Sequence, residues 1–360
     1  MKKILFSSLI LILVLSMIGM LTACGAPKDD PSKETADDTT GTSSVTVTTN
    51  DDATTDDVTN DESVTTEAVT ESVITDPDRY FYKYVVIVGV DGAGSFFRDA
   101  NTPNFDTIFA NGALTYEART ESPSISGPCW GSMFHGVAPE VHMLTNDSIE
   151  DNVYPMTSDY PSIFRVIREQ MPEASLASFC NWDEINVGII EDEIGVYKAS
   201  ESSDKKVVDA AVEYINTAAD RGEDVPTFMY LQFDQVDATG HSSGYGTTNH
   251  LRVIEKLADT YIQTLYQAYA DLGILEDTLF IVTTDHGGYE DDHGGDTDAE
   301  MLITFAAAGQ TVVNGTVGEM LIRDVASIVV YALGLEQPST WTSRVPSGLF
   351  EGVEAGERPE

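Results

Sequence analysis

The chain has 360 residues, with 60 Asp and Glu against 19 Lys and Arg and a formal net charge of -41. That balance excludes a general basic surface for polyanions, so no stable nucleic acid binding is expected. A small phosphorylated substrate stays open, because bound metal ions invert the sign of the local field.

Lys2 and Lys3 lead into an apolar run from Ile4 to Leu21, then Thr22, Ala23 and Cys24, the layout of an export signal with a processing site. Leu21-Thr22-Ala23-Cys24 resembles a bacterial lipobox, which predicts residues 1–23 as a lipoprotein signal peptide and Cys24 as the acylated mature N-terminus. The alternative is an uncleaved membrane anchor, since about 18 apolar residues span hydrocarbon. Either reading puts the downstream chain on the extracytoplasmic side of a bacterial cell membrane. In the first, the lipid bilayer is a partner through acylated Cys24, and two chains at ~0.8 kcal/mol per buried methylene give stable anchoring. Residues 24–78 then read as a disordered acidic, Thr-rich tether, because no aromatic residue or sustained apolar period repays ordering.

Residues 79–345 suit one catalytic domain with a continuous core, and residues 346–360 an acidic C-terminal tail. Tyr84 to Val90 is a nearly unbroken β-branched run ending in Asp91-Gly92, the pattern of a strand buried on both faces. Thr102-Pro103 opens a short helix, with Pro103 at its first position. Pro161 precedes another helical pattern, and Asp204 to Thr217 a third. Thr227 to Asp234 reads as a strand and His250 to Leu272 as a long amphipathic helix ending near Gly273. Thr278 to Thr284 is a strand running into Asp285-His286-Gly287-Gly288, Met301 to Ala307 a further strand and Glu319 to Leu333 a further helix. The alternation predicts an α/β layered domain with a central, mostly parallel sheet flanked by helices.

Asp91 and Asp285 stand just past the C-terminal ends of expected strands, where open α/β sheets bind ligands. Asp237-Ala238-Thr239-Gly240-His241 sets a carboxylate and an imidazole four positions apart, close together in a helical turn or a compact loop. Asp285-His286 is a second pair, and His293 lies in a glycine-rich segment. Mixed carboxylate and imidazole donors suit Zn2+ or another borderline divalent ion such as Mn2+, so two divalent metal ions are the expected cofactors. Ser126 lies in Pro123-Ser124-Ile125-Ser126-Gly127-Pro128-Cys129-Trp130 and supplies a hydroxyl nucleophile if a helix starts there. Ser124 is its rival. Cys129 and Cys180 are left paired or free, and neither belongs to a CxxC or zinc-finger pattern. His135 and His250 read as surface or cap groups. Trp130, Phe134, Trp182 and Tyr245 are either core or pocket residues.

From Tyr84 to about Ala308 the chain resembles the alkaline phosphatase superfamily, in particular its type I phosphodiesterase and nucleotide pyrophosphatase branch. The matching segments are Val88 to Gly92, Thr102-Pro103-Asn104, Pro123 to Trp130, Gly136 to His142, Asp237 to His241, Asp285-His286-Gly287 and His293-Gly294, in the family's order. The resemblance implies an alkaline-phosphatase-like fold and metal ligation by Asp91, Ser126, Asp285 and His286 at one ion and by Asp237, His241 and His293 at the other. It implies hydrolysis of phosphate esters on a small molecule or nucleotide, with a covalent phospho-serine formed at Ser126. A phosphomonoesterase and an envelope transferase of phosphoryl-linked groups are the alternatives. Two departures stand out: Ser126 where the branch commonly has Thr, and Cys129 where it has Asn, which leaves the backbone amide near Gly127 as a phosphate donor. The Arg of the sulfatase Cys/Ser-x-Pro-x-Arg motif is absent. His142, after Pro139-Glu140, reads as a hydrogen-bonded packing histidine.

Overall fold

The computed structural model describes residues 80–354, together with Gly356 and Arg358. The expected signal peptide, Cys24 and the tether lie outside the described residues. The expectation of a bilayer partner through an acylated cysteine is corrected. Cys129 and Cys180 are both fully buried, so neither offers a surface thiol for acylation. No helix among the described residues is long and apolar enough to cross a membrane.

Seven strands form one sheet: β1 (Tyr84–Val90), β2 (Ala113–Arg119), β3 (Leu176–Cys180), β4 (Tyr197–Ser200), β5 (Phe228–Phe233), β6 (Thr278–Thr284) and β7 (Leu302–Ala308). Their order is β2-β7-β6-β1-β5-β3-β4. β1 pairs in parallel with both β5 and β6, while β7 runs antiparallel to β6 and to β2. The expected α/β class therefore holds, with one reversed strand.

β1, β5 and β6 are buried along nearly their whole length, because helices cover both faces. Alternate residues point to opposite layers. Val85 and Ile87 join the core under the helices Ser126–His135, Ile163–Gln170 and Asp324–Ala332; Val86, Val88 and Val90 join the other, under Pro103–Phe109, Asp204–Asn216 and Gln263–Asp271. Leu349 and Phe350, which the sequence assigns to an acidic tail, are buried in the first of these cores. Near them, Arg358 makes a two-point ion pair with the fully buried Asp324.

The long amphipathic helix expected from His250 is observed as Thr248–Lys256, a π-helical turn Leu257–Ile262 and Gln263–Asp271 in direct succession. β2, β3 and β4 lack a clear strand signal in the sequence. β2 and β4 are only partly buried, and β3 is five small and mixed residues that read as a strand only beside β5.

Phe105 is fully buried, its ring 4.9 Å from that of Phe97 and 4.7 Å from that of Phe109. Phe105→Ala is expected to cost about 3–5 kcal/mol through lost transfer energy and the cavity left behind. Urea unfolding of the full chain should show a lower midpoint at unchanged m-value.

Candidate active site

Three neighbouring strands deliver the site. Asp91 follows β1, Asp285 and His286 follow β6, and Asp237 and His241 sit on the helix Gln235–Ser243 that follows β5. Because β1 lies between β5 and β6 and runs parallel to both, all of these residues emerge at the carboxyl ends of the central strands. The Asp91 amide donates to the Phe233 carbonyl at 2.9 Å, carrying the β1–β5 pairing up to the ligand itself. Ser126 is the first residue of the helix Ser126–His135, so the hydroxyl meets the helix's positive end. The structure thus brings together all seven residues singled out in the sequence.

Asp91, Asp285 and His286 present ligand atoms that all lie within 4.8 Å of one another, and Asp237, His286 and His293 do the same. Ser126 Oγ is 3.4 Å from Asp91 Oδ1 and 3.2 Å from His286 Nε2. His241 Nε2 is 3.3 Å from Asp237 Oδ2, and His293 Nε2 is 3.8 Å from Asp237 Oδ1. His286 stacks on His293 with ring centroids 3.9 Å apart. His286 therefore reaches both clusters, where the sequence reading placed it in one.

The three histidines share a hydrogen-bond arrangement. Nδ1 of His241 faces the Asp291 carbonyl, Nδ1 of His286 the Gly287 carbonyl and Nδ1 of His293 the Ser124 carbonyl, each at 2.9 Å. A carbonyl only accepts, so each Nδ1 carries a proton, and Nε2 is the ring nitrogen turned toward the carboxylates. His293 is held neutral far into acid, its pKa pushed down to about 4 by burial and by His286.

The Nε2 lone pair of neutral His293 faces the Asp237 carboxylate at 3.8 Å, and the two repel unless a cation lies between them. Burial, then the charge of Asp285, raises the Asp91 pKa well above the ordinary carboxylate range, and burial does the same to Asp285. Asp285 Oδ1 accepts from the amides of Gly92 and His286, at 3.0 and 2.9 Å, whereas its buried Oδ2 has no hydrogen-bond partner. An orphaned carboxylate oxygen where imidazole Nε2 atoms converge fits a bound cation. The two clusters are able to chelate divalent metal ions.

The hydroxyls and amides around Ser126 have distinct partners. Ser124 Oγ donates to the Gly295 carbonyl and accepts from the Gly294 amide, so that hydroxyl holds the His293 loop, while Ser126 Oγ faces the clusters. The Cys129 thiol points back toward the carbonyls of Glu121 and Pro123, and burial raises its pKa. The Gly127 amide is already given to Asn146 Oδ1 at 2.7 Å. Asn146 was not singled out in the sequence because it lies 20 positions beyond Ser126 and reaches the helix start only through the fold.

Tyr245 donates its hydroxyl to Asp237 Oδ1. Its ring lies against the backbone of Gly240 and Gly288, where any Cβ would collide with it. Trp130 Nε1 donates to Asp91 Oδ2 at 3.0 Å, so this core tryptophan also touches the site. His135 and His250, expected at the surface or at caps, are both fully buried. His135 places its two ring nitrogens against the Tyr160 and Ile189 carbonyls. His142 packs as expected, accepting from the Leu144 amide at 3.0 Å on Nδ1 and facing Ser132 Oγ and the Pro128 carbonyl with Nε2.

The parallel sheet, the paired acidic and histidine clusters and the hydroxyl at a helix start define a hydrolytic enzyme of the phosphodiesterase and phosphatase type. The sequence pattern of type I phosphodiesterase / nucleotide pyrophosphatase matches residues 85–299. The chain belongs to that family, within the alkaline phosphatase superfamily. No curated protein sequence matches the chain. Among solved structures it is similar to murine ectonucleotide pyrophosphatase / phosphodiesterase 5, at 16% identity and a TM-score of 0.58 over 72% of this chain and 98% of the other. The human protein of the same name aligns at 13% identity and 0.58, covering 70% and 95%. The lipoteichoic acid synthase LtaP from Listeria monocytogenes aligns at 15% identity and 0.54, covering 73% and 75%. At these identities the likeness is one of fold.

Asp285→Ala is expected to weaken divalent metal binding by at least about tenfold, measured as zinc retained after dialysis. Full occupancy in the variant would remove Asp285 from the ligand set. Burial pushes the His142 pKa down to about 3, below the 6.5 of an unperturbed imidazole. The associated stability is complete above about pH 6.5 and is lost as pH falls toward 3, because the unfolded chain takes up the proton first. The raised Asp91 and Asp285 carboxyls of metal-free protein act in the opposite sense, so the His142 share is read by difference: between pH 7 and pH 4 the urea midpoint of wild type should shift downward relative to that of His142→Gln.

Proposed function

We propose that this enzyme hydrolyses phosphodiesters, with nucleotide-type substrates preferred over simple monoesters, through a covalent phospho-serine at Ser126. The observation that carries this reading is the position of Ser126 Oγ, at a helix start and within 3.4 Å of both Asp91 Oδ1 and His286 Nε2. Asp91, Ser126, Asp285 and His286 would hold one divalent ion and Asp237, His241 and His293 the other, with His286 also in reach of the second. Bound there, the ions, most simply Zn2+, supply charge neutralisation for the phosphoryl group and favour the serine alkoxide.

The protein's own groups do the rest. Ser126 Oγ, having lost its proton, forms the bond to phosphorus as the bond to the leaving alcohol breaks and that alcohol takes up a proton; water then cleaves the serine–phosphorus ester, releasing the remaining phosphate monoester and returning a proton to Ser126 Oγ. The helix behind Ser126 favours negative charge on that oxygen. Asn146, anchored through its Oδ1 on Gly127, leaves its amide nitrogen to donate to a phosphate oxygen, the role that Cys129 cannot fill. The shared fold with ectonucleotide pyrophosphatases supports an extracytoplasmic setting for this chemistry.

Turnover of thymidine 5'-p-nitrophenyl phosphate by zinc-loaded protein should exceed that of p-nitrophenyl phosphate. The reverse order would make the enzyme a phosphomonoesterase, and release that requires an added acceptor would make it a transferase. Ser126→Ala should lower turnover by roughly 10^3-fold or more while leaving the fold and most bound metal in place. Near-normal turnover would overturn the nucleophile assignment.

A further inference from the structure

Behind the site, the two clusters are joined by groups that lie outside the seven candidate ligands. Gln232 is fully buried in β5, the one side-chain amide in a strand that otherwise reads Phe228-Met229-Tyr230-Leu231 and Phe233. A buried amide is tolerated only where its hydrogen bonds are satisfied. Here Nε2 donates to Asp91 Oδ2 at 3.1 Å, and Oε1 accepts from the backbone amides of Asn181 at 3.1 Å and Trp182 at 2.8 Å. Trp130 Nε1 donates to the same Asp91 Oδ2. With Oδ2 held from behind by two donors, Oδ1 is the oxygen turned to Ser126 and His286.

Asn181 carries the connection onward. Its Nδ2 donates to Asp204 Oδ1 at 3.1 Å. Asp204 is itself buried, and accepts from the amides of Asp234 at 2.9 Å and Gln235 at 3.3 Å. Those two amides open the helix Gln235–Ser243 that bears Asp237 and His241. An unbroken path of hydrogen bonds therefore runs from Asp91 in one cluster, through Gln232, Asn181 and Asp204, to the start of the helix that supplies the other.

We propose that Gln232, Asn181 and Asp204 are positioning residues that set the spacing between the two clusters, and with it the binding of a second ion beside the first. The proposal rests on the two-metal reading above. Capping the helix needs only Asp204, and filling β5 needs only an apolar side chain; the link through Asn181 is what a purely structural role leaves unexplained. Asn181 is half-buried, and replacing it by Ala cuts the path at one bond while leaving Gln232 on Asp91 and Asp204 on the helix start.

The test is a titration of metal-free full-length protein with Mn2+ alone, followed by electron paramagnetic resonance, in which two neighbouring ions give a spin-coupled signal. Wild type should take up two ions and show it. Asn181→Ala and Gln232→Leu should bind the first ion with affinity within about threefold of wild type, bind the second about 10- to 100-fold more weakly and lose the coupled signal. Melting of the metal-free Asn181→Ala protein should stay within about 4 °C of wild type. Retention of the coupled signal and second-site affinity in both variants overturns the proposal, as does loss of both ions in step with loss of melting temperature. Uptake of a single ion by wild type would instead overturn the two-metal reading, and the proposal with it.

Discussion

Three carboxylates, those of Asp91, Asp237 and Asp285, are brought together at or just past the carboxyl ends of three neighbouring strands, with histidine Nε2 atoms 3.3 to 3.8 Å from them. Buried like charges are the most expensive arrangement a small protein can hold, because each loses its hydration while repelling the others. The rest of the structure is organised around keeping them there. Backbone amides of Gly92 and His286 hold Asp285, side-chain donors from Trp130 and Gln232 hold Asp91, and the Tyr245 hydroxyl holds Asp237. The imidazoles are turned by backbone carbonyls so that each presents Nε2 to the carboxylates. Such a set is strained in the protein alone and complementary to divalent cations.

The sheet makes this constraint affordable. β1 is hydrogen-bonded on both sides and packed on both faces, so Asp91 projects from the most rigid part of the fold. Ligands grafted onto mobile loops would relax apart under their mutual repulsion, whereas strand ends sharing a register do not. The helix bearing Ser126 is pinned by Trp130, Met133 and Phe134 in one core, which keeps the hydroxyl at the cluster edge without a direct bond to the sheet.

Several differences between sequence and structure have one cause: sequence distance hides spatial neighbours. The side-chain amide of Asn146 lies at the start of the Ser126 helix and takes up the Gly127 amide, because the turn after His142 folds back onto it. Ser124, chemically identical to Ser126 and two positions away, is consumed by Gly294 and Gly295 from a loop some 170 residues further on. His135 and His250 are polar by type but satisfied by or packed against buried groups, and His286 reaches two clusters because His293 stacks on it.

The fold class and the buried central strands were legible in the sequence, which also singled out the seven residues that the fold brings together. Continuous apolar runs ending in Asp91 and Asp285 are a local signal, and carboxylate–imidazole spacing such as that of Asp237 and His241 is local too. Strands β2, β3 and β4 were illegible because their residues gain strand character only from neighbours in the sheet. The folded chain alone shows which serine faces the clusters, that Asn146 takes up the Gly127 amide, which ring nitrogen each histidine turns to the carboxylates, and that Gln232, Asn181 and Asp204 join the two clusters. Each of these depends on hydrogen bonds between residues far apart in the chain, and a hydrogen bond has a direction that composition and spacing do not encode.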